Sequence, residues 1–238
     1  MTLLDCIEVG GSSVETVTFA LDGTTVRAPG ARHHLGATLA IATPGIVGAS
    51  RVIAASNIGW YDVDPAVELG VGVNADIVLN DAEAAALGEV ALRDDTDDAV
   101  FVCLGTGVGG AVVVDGAVVA SNLFGHATGY SDMACVCGRV GCLETIAGGW
   151  ALPERLGDHE VAIIGRAVAD AVEREPLATP DLVVVGGGLA RRYPAVIDAV
   201  AAAVDPWRLV EPSAAPAGFK SAAAWGLRAA LRRAAMRA

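Results

Sequence analysis

The chain has 238 residues, of which 53% are hydrophobic and 18% are charged, so it can bury the core of one large domain or two small ones. This composition excludes a disordered or fibrous protein. The net charge of −12 argues against a nucleic-acid-binding surface, because phosphate backbones bind to positive fields.

The N-terminal sequence MTLLDCIEVGG has no basic region ahead of its apolar run, so it does not predict a secretory signal peptide. No window has the length of a membrane span without glycine, proline or charge, and we expect no contact with a membrane. Five cysteines without an export signal indicate a reducing compartment. We therefore predict a cytoplasmic protein.

Short strands dominate the first third of the chain. Apolar or alternating runs that predict strands cover residues 3–9, 14–21, 24–28, 38–43 and 52–54. Turns are predicted at Gly10-Gly11, Asp22-Gly23 and Pro44-Gly45. These runs predict a β-meander at the start of the fold.

A buried strand at 76–79 leads into Asn80 and Asp81, and the alanine-rich segment 82–92 favours a helix. Asp81 is therefore predicted at a strand-to-helix junction. A carboxylate there is either a general base fixed in position or the N-cap of the helix, and the residues alone leave both possibilities open.

The second half of the chain predicts a hairpin and three helices. Residues 99–119 form two apolar strands around a glycine-rich turn, and residues 182–185 form a buried strand that ends in three glycines. Helical patterns cover 159–174, 193–204 and 219–235.

Three glycine-rich turns each follow an apolar strand. They begin at Gly10, Gly105 and Gly186. Such turns allow backbone N–H groups to surround a phosphate, although each alone is more often a simple turn. Together they suggest a nucleotide site, but none ends in the Gly-Lys-Ser/Thr of the Walker motif.

A cluster of potential metal ligands lies in the second half. Cys135, Cys137 and Cys142 fall within eight residues, and His126 lies nine residues upstream of the first. One imidazole and three thiolates form the closed tetrahedral set of structural Zn²⁺. Ordinary buried thiols or a disulfide pair are the alternatives. A zinc ion would staple this loop and fix the direction of Glu144.

Several segments resemble the ROK family of sugar kinases and related repressors. In chain order they are NDAEAAALGE (80–89), CLGTGVGGA (103–111), FGH (124–126) and CVCGRVGCLE (135–144). VVVGGGL (183–189) is similar to the nucleotide-side glycine turn of that family, and PG (44–45) with SNIGW (56–60) is similar to its sugar-side loops. Because no DNA-binding helix-turn-helix segment stands ahead of residue 1, we expect the kinase branch and not the repressor branch.

The resemblance implies an α/β protein with the actin-like ATPase (ribonuclease H-like) fold, in which two domains close over ATP with Mg²⁺ and a hexose. We predict an N-terminal domain over 1–79, with the helix 219–235 packing back on it. A C-terminal domain over 80–218 would contain the structural zinc loop. The implied partners are a sugar and a nucleotide.

The resemblance also assigns roles to individual residues. Asp81 would be the general base, and Asn57, Asn80, His126 and Glu144 would hold the sugar hydroxyls. Nucleotide and phosphate contacts would come from Glu8, Gly10, Gly11, Ser12, Gly105, Thr106, Gly107, Gly109, Gly187 and Gly188. His126 would also join Cys135, Cys137 and Cys142 as a zinc ligand.

Two departures from the family pattern favour an alternative function. Residues 8–13 read EVGGSS where the family has Asp-x-Gly-Gly-Thr-Lys, and Leu123 replaces a glutamate that usually holds the sugar. Glu83 stands where a second asparagine is more common. The alternatives are a catalytically impaired sensor of sugar or nucleotide, or a structural subunit with an empty cleft.

The chain is also short for this family. No long helix fits between the Asp22-Gly23 turn and Leu39, and the segment from Glu144 to Leu182 is trimmed. Because exposed sheet faces favour association, we predict a homodimer.

Overall fold

The computed structural model describes residues 3–11, 13–20, 25–29, 34, 37–121 and 124–237, with only the backbone given for 25–29 and 237. Ser12, Leu123 and the predicted turn at Asp22-Gly23 lie outside these residues. The chain divides into two compact units, residues 1–91 with 222–238 and residues 92–221.

Thirteen strands and seven helices are found in the described residues. The strands are β1 (Leu4–Val9), β2 (Val14–Phe19), β3 (Thr25–Pro29), β4 (Thr38–Thr43), β5 (Ile46–Gly48), β6 (Arg51–Ala55), β7 (Trp60–Val63), β8 (Ile77–Asn80), β9 (Ala99–Leu104), β10 (Val108–Val114), β11 (Ala117–Ser121), β12 (Leu182–Gly186) and β13 (Leu209–Pro212). The helices are α1 (Pro65–Glu68), α2 (Asp81–Ala91), α3 (Glu144–Ala147), α4 (Asp158–Arg174), α5 (Gly187–Arg192), α6 (Ala195–Ala201) and α7 (Ala223–Arg237).

The first unit contains a five-stranded sheet in the order β3-β2-β1-β4-β8. The first three strands are antiparallel, whereas β1, β4 and β8 run parallel. Ile7, Leu39 and Ile41 form a small core with α1 on one face. A second sheet, β5-β6-β7, adds an antiparallel meander.

Helices α2 and α7 pack closely together in the first unit. A Cβ atom on Gly88 would lie 1.9 Å from the Ala222 carbonyl oxygen, and one on Gly226 would lie 1.8 Å from the Ala84 carbonyl oxygen. Only glycine permits this approach of the two backbones. The contact places α2 in the first unit, whereas the sequence-based boundary after residue 79 assigns it to the second domain.

The second unit repeats the sheet pattern of the first. Its order is β11-β10-β9-β12-β13, with three antiparallel strands followed by two parallel ones. Its core is built from the valines of β9, β10 and β12 together with one face of α4 and α6, including Ile164, Val168 and Val200. The two units are therefore two versions of one supersecondary pattern.

The long predicted elements agree with the structure, but several short ones are not evident in the sequence. Unpredicted elements are β5, β7, β13, α1, α3 and α5, which have three to six residues each. Such segments are too short to show a hydrophobic period. The helices predicted at 193–204 and 219–235 are found at 195–201 and 223–237. Among the described residues, no helix is long and apolar enough to cross a membrane.

Candidate active site and metal centre

Asp81 is the first residue of α2, directly after β8. Asn80 caps this helix, because its Oδ1 accepts hydrogen bonds from the backbone N–H groups of Ala82 (2.9 Å) and Glu83 (3.3 Å). The Asn80 amide also donates to the Gly45 carbonyl oxygen at 2.9 Å. Asn80 is therefore the cap of α2. The sequence had left open whether Asp81 is that cap or a general base.

Burial raises the pKa of Asp81 to about 6, and the negative charge of Glu83 adds to the rise. The backbone N–H of Ala82 donates a hydrogen bond to Asp81 Oδ1 at 2.9 Å, and this bond acts in the opposite direction by lowering the pKa. A carboxylate with a pKa near 6 is ionised at neutral pH and is a stronger base than an ordinary aspartate. Its position and its pKa both suit proton abstraction.

The first glycine turn joins β1 to β2. The backbone N–H of Gly10 donates to the Ser13 carbonyl oxygen at 2.9 Å, and Glu8 lies opposite Glu15 in the strand register. The exposed Asn57 lies beside this turn, since a Cβ atom on Gly11 would be 3.9 Å from Asn57 Nδ2. The first unit thus brings two of the predicted ligand groups together.

The second glycine turn, residues 105–107, joins β9 to β10. Its carbonyl oxygens at Gly105 and Thr106 accept hydrogen bonds from the N–H groups of Gly149 (2.9 Å) and Trp150 (3.1 Å). The N–H of Gly105 donates to the Gly107 carbonyl oxygen at 2.9 Å. In the described chain the N–H groups of Thr106 and Gly107 have no hydrogen-bond partner. These two donors are the ones that an anion can use.

Glu144 is buried beside the 105–107 turn, at the first residue of α3. Its Oε2 accepts a hydrogen bond from the Val108 N–H at 2.9 Å, and its Oε1 accepts one from the Trp150 indole N–H at 3.2 Å. Trp150 was not identified from the sequence, because only the folded chain brings its ring to this carboxylate. The predicted sugar ligand therefore already has two protein partners.

The four predicted metal ligands lie together in the second unit. The ligand atoms of His126, Cys135, Cys137 and Cys142 are all within 4.8 Å of one another. Cys135 Sγ is 3.7 Å from His126 Nδ1, and Cys137 Sγ is 3.6 Å from Cys142 Sγ. Tetrahedral coordination with metal–sulfur bonds of about 2.3 Å requires ligand separations of about 3.8 Å. The donor set fits a tetrahedral ion.

The backbone of the metal loop turns sharply between its ligands. The N–H of Cys135 donates to the Arg139 carbonyl oxygen at 2.7 Å, and the N–H of Gly138 donates back to the Cys135 carbonyl oxygen at 2.9 Å. Gly138 and Gly141 both have positive φ angles. A hydrogen bond from the backbone N–H of Arg139 lowers the pKa of the Cys137 thiol to about 7, which favours the thiolate that metals bind.

The third glycine turn opens α5, which starts at Gly187. A pocket of about 230 Å³ lies next to it in the second unit. Its lining is mainly apolar and includes Val185, Gly186, Ala190, Arg191 and Phe219. Gly187 and Gly188 are predicted to lie beside a nucleoside, and this pocket offers apolar surface of the kind that a base needs.

Two units with the same five-stranded sheet order define this protein as a member of the actin-like ATPase fold class. A sequence profile of the ROK family matches residues 13–179. The chain belongs to the ROK family.

Relatives of this chain include sugar kinases. It is 34% identical over 198 residues to an N-acetylmannosamine kinase of Citrobacter koseri, covering 65% of this chain and 66% of that protein. It is 39% identical over 123 residues to an N-acetylmannosamine kinase of Salmonella typhimurium, covering 47% of this chain and 42% of that protein. The chain thus spans about two thirds or less of these relatives.

Solved structures share the fold over nearly the whole chain. A ROK family glucokinase from Streptomyces griseus in complex with glucose and AMPPNP has a TM-score of 0.72 at 21% identity, covering 97% of this chain and 99% of that one. A ROK family transcriptional regulator, a homologue of the E. coli MLC protein, has a TM-score of 0.68 at 18% identity, covering 96% and 78%. Both kinases and regulators therefore have this fold.

Proposed function

We propose that this protein is an ATP-dependent kinase of a hexose or a hexose-like amino sugar, with Asp81 as its general base. The names of its relatives support sugar phosphorylation, since those proteins are N-acetylmannosamine kinases. The observation that carries the proposal is the state of Asp81. Asp81 is the first residue of α2, and Asn80 caps this helix in its place. Burial raises the pKa of Asp81 to about 6.

In the proposed reaction, the carboxylate of Asp81 accepts the proton of a sugar hydroxyl. The sugar oxygen forms a bond to the γ-phosphorus of ATP while the bond between that phosphorus and the β–γ bridging oxygen breaks. The products are a sugar phosphate and ADP, and Asp81 releases its proton to solvent because its pKa lies below neutral pH. Mg²⁺ would supply charge neutralisation at the phosphates when it is bound.

The N–H groups of Thr106 and Gly107 would donate to phosphate oxygens of the nucleotide. Glu8, Gly10, Gly11, Ser12 and Gly109 remain predicted nucleotide-side residues, and the pocket beside Gly187 and Gly188 would receive the base. Asn57, Asn80, His126 and Glu144 remain the predicted sugar ligands. Asn80 and Glu144 already form hydrogen bonds within the protein, so a sugar hydroxyl would bind to them in addition to those partners.

The ligand set of His126, Cys135, Cys137 and Cys142 supports Zn²⁺ as a structural ion, because three thiolates and one imidazole leave no position for water or substrate. The ion would fix the loop between His126 and Glu144. A homodimer and a cytoplasmic location stay predictions from the sequence.

A coupled ADP-release assay tests the proposal on a panel that contains glucose, mannose, N-acetylglucosamine and N-acetylmannosamine. We expect turnover with at least one sugar, and we expect Asp81→Asn to lower kcat by about 10²–10⁴-fold through loss of the base. Asp158→Asn is the matched control, since Asp158 is an exposed aspartate at the first residue of α4. It should keep the wild-type rate.

Turnover that survives Asp81→Asn would remove Asp81 as the base. The altered residues 8–13 and Leu123 favour the alternative of a sensor without activity. In that case no sugar is phosphorylated, but a sugar or a nucleotide raises the thermal unfolding midpoint.

A further inference from the structure

We propose that Cys137 is a peroxide-sensitive site, at which oxidation forms a disulfide with Cys142 and releases the metal ion. This covalent change at the predicted zinc ligands does not require kinase activity. The ligand set of one imidazole and three thiolates stays as described above. Within that set, the structure distinguishes the three thiolates from one another.

The three cysteines of the metal loop differ in their access to solvent. Cys135 is 6% exposed and Cys142 is 0% exposed, whereas Cys137 lies on the surface. The neighbouring Val136 is 82% exposed, so this part of the loop faces outward. Oxidation of cysteine follows thiolate character and exposure. Because every zinc-bound cysteine is a thiolate, access decides, and a dissolved oxidant meets Cys137 before the other two.

The backbone explains why one thiolate is outside and another is inside. The N–H of Cys135 donates to the Arg139 carbonyl oxygen at 2.7 Å, which closes a tight turn around Cys137. Cys142 lies at the base of the loop, where its carbonyl oxygen accepts a hydrogen bond from the Thr145 hydroxyl at 2.6 Å. The loop thus combines an outer thiolate with an inner one.

The inner thiolate is close enough to form a disulfide with the outer one. Cys142 Sγ lies 3.6 Å from Cys137 Sγ, and a disulfide bond is about 2.05 Å long. Gly138 and Gly141 lie between the two cysteines, both with positive φ angles. A small change of this short segment therefore suffices to bring the two sulfur atoms together.

The reaction has two steps and consumes one hydroperoxide. With hydrogen peroxide, the Cys137 thiolate attacks one oxygen, the O–O bond breaks, hydroxide leaves, and Cys137 becomes a sulfenic acid. The Cys142 thiolate then attacks the Cys137 sulfur, so that an S–S bond forms while the S–O bond breaks and a second hydroxide leaves. The two sulfurs lose two electrons to the peroxide oxygens, and two protons from solvent convert the hydroxides to water.

The disulfide removes two of the four ligands. His126 and Cys135 alone remain, and a structural zinc site requires four protein ligands. The ion would therefore dissociate from the oxidised protein.

Loss of the ion would release a loop that contains two predicted sugar ligands. His126 lies at its start, and Glu144 follows Cys142 by two residues. Oxidised protein should therefore bind the sugar more weakly, and this one consequence rests on the proposed function. A protein without kinase activity would still form the disulfide and release the metal, so the two failures are distinguishable.

The test adds hydrogen peroxide to the zinc-loaded protein in the presence of a chromogenic zinc chelator, with mass spectrometry of the cysteines. We expect the release of about one zinc ion per chain. A sulfenic acid should be trapped at Cys137 at early times, and a disulfide between Cys137 and Cys142 should be found at the end. Dithiothreitol and Zn²⁺ should restore the metal content, because a disulfide is reversible.

Cys137→His and Cys135→His form a matched pair of variants. Each leaves two thiolates and two imidazoles, a set that also holds zinc. We expect Cys137→His to release zinc about tenfold more slowly than the wild type, because the exposed thiolate is gone, whereas Cys135→His should stay within about threefold. Cys103→Ser lies outside the ligand cluster and should not change the rate.

Equal rates of zinc release in the two histidine variants would overturn the role of Cys137. A first oxidation at Cys135 or Cys142, or a disulfide between Cys137 and Cys135, would also overturn the inference, as would zinc that stays bound to the oxidised wild-type protein. If a histidine variant fails to bind zinc, the modified cysteines of the wild-type protein decide the outcome.

Discussion

Asp81 and Glu144 occupy the same local position in the two units, each as the first residue of a helix. Their hydrogen bonds differ. Both oxygens of Glu144 accept from N–H donors of the protein, at Val108 and at the Trp150 indole. Asp81 accepts from the adjacent Ala82 N–H, and Asn80 supplies the cap of its helix.

This difference separates a carboxylate suited to move a proton from one whose two oxygens are both held by donors of the protein. Burial raises the pKa of Asp81 to about 6, so that its ionised form costs free energy and readily takes up a proton. The two N–H donors of Glu144 fix the direction of its carboxylate. Two acids that each begin a helix thus differ in their hydrogen-bond partners, and this difference makes Asp81 the better candidate for a base.

The largest expected effect comes from removing the metal centre, which precedes Glu144 in the chain and is not adjacent in sequence to Asp81. Cys142→Ser deletes a metal ligand two residues before Glu144, and we expect the zinc content to fall from about one ion per chain to none. Each kcal/mol of stabilisation that is lost with the metal would lower the unfolding midpoint by about 2–4 °C. Metal analysis of protein purified without chelator and a thermal melt measure both.

Cys103→Ser is the matched control for this variant. Cys103 lies in β9, outside the ligand cluster, so its substitution should leave the metal content unchanged. Full metal content in Cys142→Ser, or no zinc in the wild-type protein, would contradict the assignment of the metal centre.

A second prediction concerns the pH dependence of turnover. Because Asp81 must be ionised to act as a base, kcat should rise about tenfold per pH unit below its pKa of about 6 and level off above it. Initial rates at saturating substrate between about pH 4.5 and 8.5 measure this profile, with metal content checked at the acid end because protonation releases zinc.

Glu83→Gln sharpens the same experiment. The charge of Glu83 raises the pKa of Asp81, so its removal should move the midpoint of the profile to lower pH. A wild-type profile with its midpoint near 4, the ordinary range of aspartate, would show that Asp81 is not perturbed or is not the base.

The sequence was sufficient to predict the metal cluster, the strand-to-helix position of Asp81 and the family. The signals for the first two are local: cysteines separated by glycines, and an acid between an apolar run and an alanine-rich helix. The family was predicted from the resemblance of several whole motifs. The matching order of the two sheets agrees with the fold that the resemblance implied. Local patterns of this kind can be read without coordinates because they depend on spacing alone.

Side-chain directions and contacts between distant segments could not be predicted in this way. The cap that Asn80 provides and the bond from Trp150 to Glu144 depend on side-chain direction, which composition does not fix. The close packing of α2 on α7 joins residues more than a hundred positions apart, and it places α2 in the first unit. The short helix α3 has no hydrophobic period, although Glu144 begins it.

The smallest expected effect contrasts the two acids by their contributions to stability. The pKa of Asp81 is raised from 3.8 to about 6, so between these pH values the folded state binds more protons than the unfolded state. The free energy of unfolding therefore falls as the pH rises through this window, and above it the ionised carboxylate costs the fold about 1–2 kcal/mol after allowance for its partial exposure. Asp81→Asn should remove this cost.

At pH 8 we accordingly expect Asp81→Asn to raise the free energy of unfolding by that amount, while at pH 4 it should have almost no effect. Glu144→Gln should lower it by about 1–3 kcal/mol at pH 8, because an amide NH₂ would face one of the two N–H donors. Denaturant unfolding of the two variants at both pH values measures the contrast. If both variants change the free energy of unfolding in the same direction, the two carboxylates have similar environments. The argument that only Asp81 is suited to act as a base would then fail.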